Sequence, residues 1–200
     1  MSETGSRPQE AAVDSRAVEG FRRGDPQAVA RVVGAFGKRL VGFIRVFTRN
    51  QEVAKEVAQE VFVEACRKRE QFSAPEELSA WLFTVAKRKA IRATERKSYT
   101  HEIGMDREAL DHLSPSVAPE QGARLQLDQL GGHLSQALDK LPPEEREILA
   151  LRYFGQLRIG EIAETARIPM GSVGGKIDRA LAKVRRVLEE KGIRPEDVKW

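Results

Sequence analysis

Six bases face one acid over eleven residues of this chain: Lys87, Arg88, Lys89, Arg92, Arg96 and Lys97 against Glu95. A funnel of cations at that density suits single-stranded nucleic acid. A second group, Lys176, Arg179, Lys183, Arg185 and Arg186, recurs at helical spacing near the C-terminus. It would give a helix a basic outer surface suited to a phosphate backbone. Both patterns also fit solvated charged faces. Covalent chemistry has no comparable support, for the chain holds no Walker loop, no Gly-rich phosphate fingerprint and no nucleophile–base grouping. His101, His112, His133 and Cys66 make no zinc spacing. The Glu144-Glu145 pair opens a helix, where the macrodipole accounts for acids. No catalytic residue, metal or cofactor is expected.

The elements that must position these groups are helical. The 200 residues carry 34 Lys+Arg against 30 Asp+Glu, a net charge of +4, and 40% are hydrophobic. That is enough apolar content for folded cores. No apolar run nears the roughly 18 residues of a membrane span, and Met1–Val13 has no apolar h-region of a signal peptide. A single cysteine excludes an intramolecular disulfide. A cytoplasmic protein without membrane insertion is the reading.

Strand alternation is absent and helical periodicity is strong. Asp25-Pro26 predicts an N-cap and first helical residue, followed by a helix to about Thr48. Val29, Val32, Val33, Phe36, Leu40, Phe43, Ile44 and Phe47 are its expected inner face. A second helix runs from about Gln51 to Glu70, striped by Val53/Ala54, Val57/Ala58, Val61/Phe62 and Ala65. Ser73-Ala74-Pro75 breaks the pattern, and a third helix spans about Glu77–Ser98, with Leu78, Trp81, Leu82, Val85 and Ile91 inward. Cys66 reads as a small buried hydrophobe.

Residues 102–120 hold five acids against Arg107, with Pro115 and Pro119. They read as a solvated linker with a short helix near Asp106–Leu113. The expectation is thus an all-α chain of two small helical domains joined by a flexible linker. The boundaries are a mobile tail 1–19, a domain 20–98, a linker 99–123, a domain 124–192 and a tail 193–200.

The second domain opens with a helix near Arg124–Leu141, then Glu144–Phe154 capped by Gly155. Ile159–Ala166 and Met170 to about Lys191 follow, with Gly192 closing the last helix. Ile159, Ile162, Ala163 and Ala166 share one face of the short helix. Val173, Ile177, Leu181, Val184 and Leu188 form a stripe on the long one. Two such helices across a three-to-four-residue turn read as a helix-turn-helix, whose second helix lies in the DNA major groove. Ser172 is placed to cap that helix and touch phosphate. An ordinary helical hairpin with a charged face fits the same periodicity.

The wording goes further. LPPEEREILALRYFGQLRIGEIAETARIPMGSVGGKIDRALAKVRRVL closely resembles region four of bacterial sigma factors of the extracytoplasmic-function (ECF) group. AKEVAQEVFVEACRKREQF and LSAWLFTVAKRKAIRATERK are similar to region two of the same family. The resemblance covers roughly residues 20–98 and 125–190 in the family's order. It implies a promoter-specificity factor whose partners are core RNA polymerase, promoter DNA and an anti-sigma factor. Region two would bind core polymerase through the matching residues Glu56, Gln59 and Glu60. It would read the minus-ten element through the loop at Gln71, Phe72 and Ser73 and through Lys87, Arg88, Lys89, Arg92 and Arg96. Region four would read the minus-thirty-five element through Arg158, Ser172, Gly174, Gly175, Lys176, Arg179 and Lys183.

The chain departs from the family where DNA is read. The family's Lys-Ser-Arg after the valine is here Gly174-Gly175-Lys176, and Asp178 stands where a polar or basic residue is common. Two glycines delete two side chains and weaken the helix by about 1 kcal/mol each. They would equally let backbone approach DNA closely. A second reading follows: a sigma-like interaction protein that titrates an anti-sigma factor and reads DNA weakly or not at all. A conventional repressor using residues 125–190 alone would leave the first domain unexplained.

Overall fold

A computed structural model describes residues 13–102, 133–134 and 136–193, every regular element among them helical. The expected helix near Asp106–Leu113 and most of the one near Arg124–Leu141 lie outside the described residues. The chain divides into two compact units, Met1–Ala93 and Thr94–Trp200.

The first unit begins earlier than its apolar pattern. Helix α1, Ser15–Arg23, starts within the sequence expected to be a mobile tail, 1–19, and runs on into the expected domain. The Asp14 carboxylate caps it by accepting from the Ala17 N–H at 2.8 Å. Ala17, Val18 and Phe21 are buried, and Gly24 ends the helix at φ 78°. Gly20 is needed for close packing, since a Cβ there would come within 2.7 Å of the Ala28 Cβ.

Helix α2, Pro26–Thr48, starts as expected, with Asp25 accepting from the Gln27 N–H at 2.9 Å. Gly34, Gly37 and Gly42 do not interrupt it. Burial of Val32, Phe36, Leu40, Phe43 and Ile44 supplies the packing that outweighs their poor propensity. Val33 is a correction: it faces outward at 39% exposure. Asn50 caps α3, Gln51–Arg67, which gives way to a 3-10 turn at Arg69–Gln71 before the expected end at Glu70. Helix α4 runs Pro75–Glu102. Its buried side is Leu78, Leu82, Phe83, Val85, Ala86 and Ala90, whereas Ile91, expected inward, is 39% exposed. Phe43 packs edge-on against Phe83 at 5.2 Å.

In the second unit α5 is Pro143–Tyr153, α6 is Ile159–Ala166 and α7 is Met170–Glu189. A Cβ at Gly155 would run into the Leu151 carbonyl, so the chain can turn there only on glycine. Arg167 takes the left-handed conformation at φ 58° and ends α6. Residues 167–169 then make the tight turn into α7. Ala137, Leu141, Leu149, Ala180, Val184, Val187 and Leu188 form one buried cluster. Ile148, Leu151, Leu157, Ile162 and Val173 are also fully enclosed. Ile159 is not on the inner face as expected; it is 46% exposed, and Thr165 is buried instead. Gly192 closes the end of α7 at φ 77°.

Candidate nucleic-acid and polymerase interfaces

Glu56, Gln59 and Glu60 are all exposed on α3. They stand one turn apart, as i, i+3 and i+4 positions must. The sequence reading missed the apolar surface beside them. Val63 continues the row at 45% exposure. Val33, Gly37 and Val41 of α2 and Ala58, Gln59, Phe62, Val63 and Cys66 of α3 line an open groove of about 570 Å³, with Lys55 and Arg67 of α3 also on its lining. Cys66 is therefore half-exposed in that groove and not buried. Val33 was legible as apolar, but only packing reveals which apolar residues stay uncovered.

The acidic row on α3 also reaches α4. Lys89 donates to Glu60 at 3.0 Å and lies 3.5 Å from Glu64. Arg88 reaches Glu64 at 3.3 Å, as does Lys68. Burial pushes the Glu64 carboxyl up, but the hydrogen bond from Lys68 and the charges of Lys89, Lys68 and Arg88 outweigh it and hold the pKa below its usual 4.5. Lys89 thus spends its charge inside the unit. Arg88, Arg92 and Arg96 form the exposed row along α4, and Lys87 is half-buried.

The loop before α4 is built on Phe72. This residue, assigned to DNA contact, is instead core, 2% exposed. Its ring lies 6.2 Å from Phe21 and 5.3 Å from Trp81. Gln71 and Ser73 flank it and are exposed. The Ser73 N–H donates to Glu77 at 2.9 Å, and this backbone hydrogen bond holds the Glu77 carboxyl below 4.5. Trp81 is half-buried, with the Lys68 ammonium 5.7 Å from its ring centre. It serves the core on the Phe72 side while keeping part of the ring open.

In the second unit α7 presents its N-terminal half outward. Ser172 does not cap it: the N-cap is Pro169, and the Ser172 hydroxyl donates back to the Pro169 carbonyl at 2.7 Å. Lys176 pairs with Glu144 at 2.7 Å, and Lys183 with Glu145 at 2.8 Å. Glu144 and Glu145 therefore do more than offset a macrodipole; they tie α7 to the first turn of α5. Arg179 is exposed. Among the described residues no side chain comes within 4 Å of a would-be Cβ at Gly174, and at Gly175 the one that does is the Arg179 guanidinium at 3.9 Å. Arg158, also exposed, precedes α6, and its N–H donates to Glu161.

No group of metal-ligating side chains occurs among the described residues. No helix among them is long and apolar enough to cross a membrane.

Comparison with known proteins gives this geometry its setting. Residues 32–99 match the family model for Sigma-70 region 2, and residues 133–184 match that for Sigma-70, region 4. The chain is 28% identical over 182 residues to the RNA polymerase sigma-H factor of Pseudomonas aeruginosa, covering 88% of this chain and 94% of that one. It is 27% identical over 180 residues to the ECF RNA polymerase sigma factor SigW of Bacillus subtilis, covering 86% and 95%. Among solved structures it is similar in fold to CnrH in complex with the cytosolic domain of CnrY. That match has a TM-score of 0.61 at 23% identity over 89% of this chain and 98% of that one. It is also similar in fold to the sigma factor RpoE in complex with the anti-sigma factor NepR from Bartonella quintana. There the TM-score is 0.61 at 16% identity over 80% and 96%. The two matched regions, in order on two helical units, make this chain a member of the ECF group of the sigma-70 family.

Proposed function

We propose that the chain is an RNA polymerase sigma factor that directs transcription initiation at specific promoters. The observation that carries this is the pairing of a basic helix, α4, with a helix-turn-helix, α6 and α7, each lying for most of its length within its own matched sigma region. The chain acts by binding and contributes no covalent chemistry. Its working compartment is the cytoplasm, where polymerase and promoter meet.

The α3 row of Glu56, Gln59, Glu60 and Val63, with the groove beside it, is the docking face for core polymerase. Carboxylates and an amide bordering an apolar groove combine charge complementarity with burial. Gln71, Ser73 and the α4 row Arg88, Arg92 and Arg96 meet the separated minus-ten strand. Helix α7 enters the major groove of the minus-thirty-five element. An anti-sigma factor that covers these faces would hold the chain inactive; the fold relative solved with the anti-sigma factor NepR supports that reading.

Titration of an anti-sigma factor without promoter reading is the second possibility. It draws on Gly174, Gly175 and the internally paired Lys176 and Lys183. The exposed arginine row on α4 opposes it, since a decoy has no use for that charge. Gln59→Ala combined with Glu60→Ala tests the docking face. Weakened binding to core polymerase is expected, and unchanged affinity would remove the assignment.

A further inference from the structure

The exposed face of α7 has an unusual midline. At 100° per residue, positions 171, 175 and 182 fall along its centre, with 178 and 179 on either side. All five residues are exposed. The centre holds Gly171, Gly175 and Ala182, which offer no side chain beyond a methyl. Among the described residues no side chain lies within 4 Å of a would-be Cβ at Gly171 or Gly174. Among the described residues, the glycines therefore make room for no side chain but that of Arg179.

Two charged side chains flank that strip, the short Asp178 and the long Arg179. Neither makes an ion pair among the described residues, although Lys176 and Lys183 nearby both do. The Arg179 guanidinium lies over the space that Gly175 leaves open. An exposed aspartate on a DNA-facing helix repels phosphate and lowers affinity for every duplex. It becomes useful only where a base-edge donor meets it.

We propose that Asp178 and Arg179 set the base preference of α7, Asp178 accepting from the exocyclic amine of a cytosine and Arg179 donating to the edge of a guanine. This rests on the reading of α7 as the promoter-recognition helix. A carboxylate accepts from cytosine N4, and a guanidinium matches guanine O6 and N7. Adenine also offers an amine, but its N7 acceptor would face the carboxylate's second oxygen. Cytosine has no acceptor at that place. The bare midline lets the helix backbone come close enough for a short aspartate to reach a base.

The test uses the full chain with core polymerase and a pool of duplexes randomised through the upstream element. Bound duplexes are sequenced. Wild type is expected to enrich a cytosine and a guanine. Asp178→Ala should lose the cytosine preference by about fivefold or more, and Arg179→Ala the guanine preference by a similar factor. Asp178→Asn should move the preference from cytosine to adenine, because an amide both accepts from N6 and donates to N7. A merely structural aspartate would not produce that switch. An enriched element left unchanged in both Asp178 variants would overturn the pairing and leave the sigma assignment intact. Polymerase binding with no enriched upstream element would overturn both.

Discussion

The Lys183 ammonium lies 2.8 Å from both carboxylate oxygens of Glu145, thirty-eight positions earlier in the chain. Glu145 is 12% exposed, so the pair is shielded on the acid side. Two turns earlier on α7, Lys176 makes a similar pair with Glu144 at 2.7 Å. Two cations that the sequence offers to DNA are thus partly consumed in holding α7 to α5. The duplex would meet a helix of lower effective charge than its composition suggests.

Glu144→Gln should release Lys176 toward phosphate. Affinity for non-specific duplex should rise, and the slope of log affinity against log salt should steepen by about one unit. Salt titrations of both proteins check this. An unchanged slope would mean that Lys176 does not meet phosphate even when unpaired.

The Lys183–Glu145 pair should contribute modestly to stability. Its lysine is 44% exposed, which places its worth at about 0.5–1 kcal/mol. A double-mutant cycle with Lys183→Ala and Glu145→Ala, read by urea unfolding, measures the coupling. Strict additivity would reduce the contact to a coincidence of two long side chains.

On α4 the exposed and paired cations should separate. Arg92 is exposed, whereas Lys89 sits between Glu60 and Glu64. Arg92→Ala should reduce the salt slope for a single strand by about 0.7. Lys89→Ala should change that slope less and lower the stability of the first unit more. Equal slopes for the two variants would show that the ion pairs open on binding.

Much of this architecture was legible. Asp25-Pro26 marked the start of α2, and the tight turn at Arg167–Pro169 set the helix-turn-helix. Helix α1 was missed because its buried set is only Ala17, Val18, Gly20 and Phe21, too few for a visible stripe. Its Asp14 cap is a local signal that a short helix with so few apolar residues does not make conspicuous, and its close crossing at Gly20 exists only once α2 is in place. Val33, Ile91 and Ile159 followed helical spacing yet face outward, since periodicity names a face without saying how wide its cover is. Phe72 adjoined a loop and was read with it, although its ring anchors that loop to Phe21 and Trp81. The ion pairs were invisible because they join elements 24 to 38 positions apart.

Glycines should divide by what surrounds them. Gly174→Ala meets open space and should stabilise the second unit by about 0.5–1 kcal/mol. Gly155→Ala would press a Cβ on the Leu151 carbonyl and should cost about 1–3 kcal/mol. Thermal unfolding of both variants gives the signs directly.

Acid should loosen the loop at Ser73. The Glu77 carboxyl is held below 4.5 by the Ser73 N–H, and Glu64 is lowered by its basic neighbours against burial. A folded pKa below the unfolded one gives stability that is present above the unfolded value. That stability is lost as pH falls through the folded value. The urea midpoint should therefore drop on moving from neutral pH to below 4.5, and it should drop less in Glu77→Gln. An equal drop in both proteins would remove Glu77 from the explanation.

The central claim is that this chain, joined to core polymerase, starts transcription at chosen sites. Reconstituted transcription on a pool of promoter fragments, with the start points mapped, tests it most directly. Discrete starts that share an upstream element are expected. Polymerase that binds the chain yet initiates nowhere would contradict it.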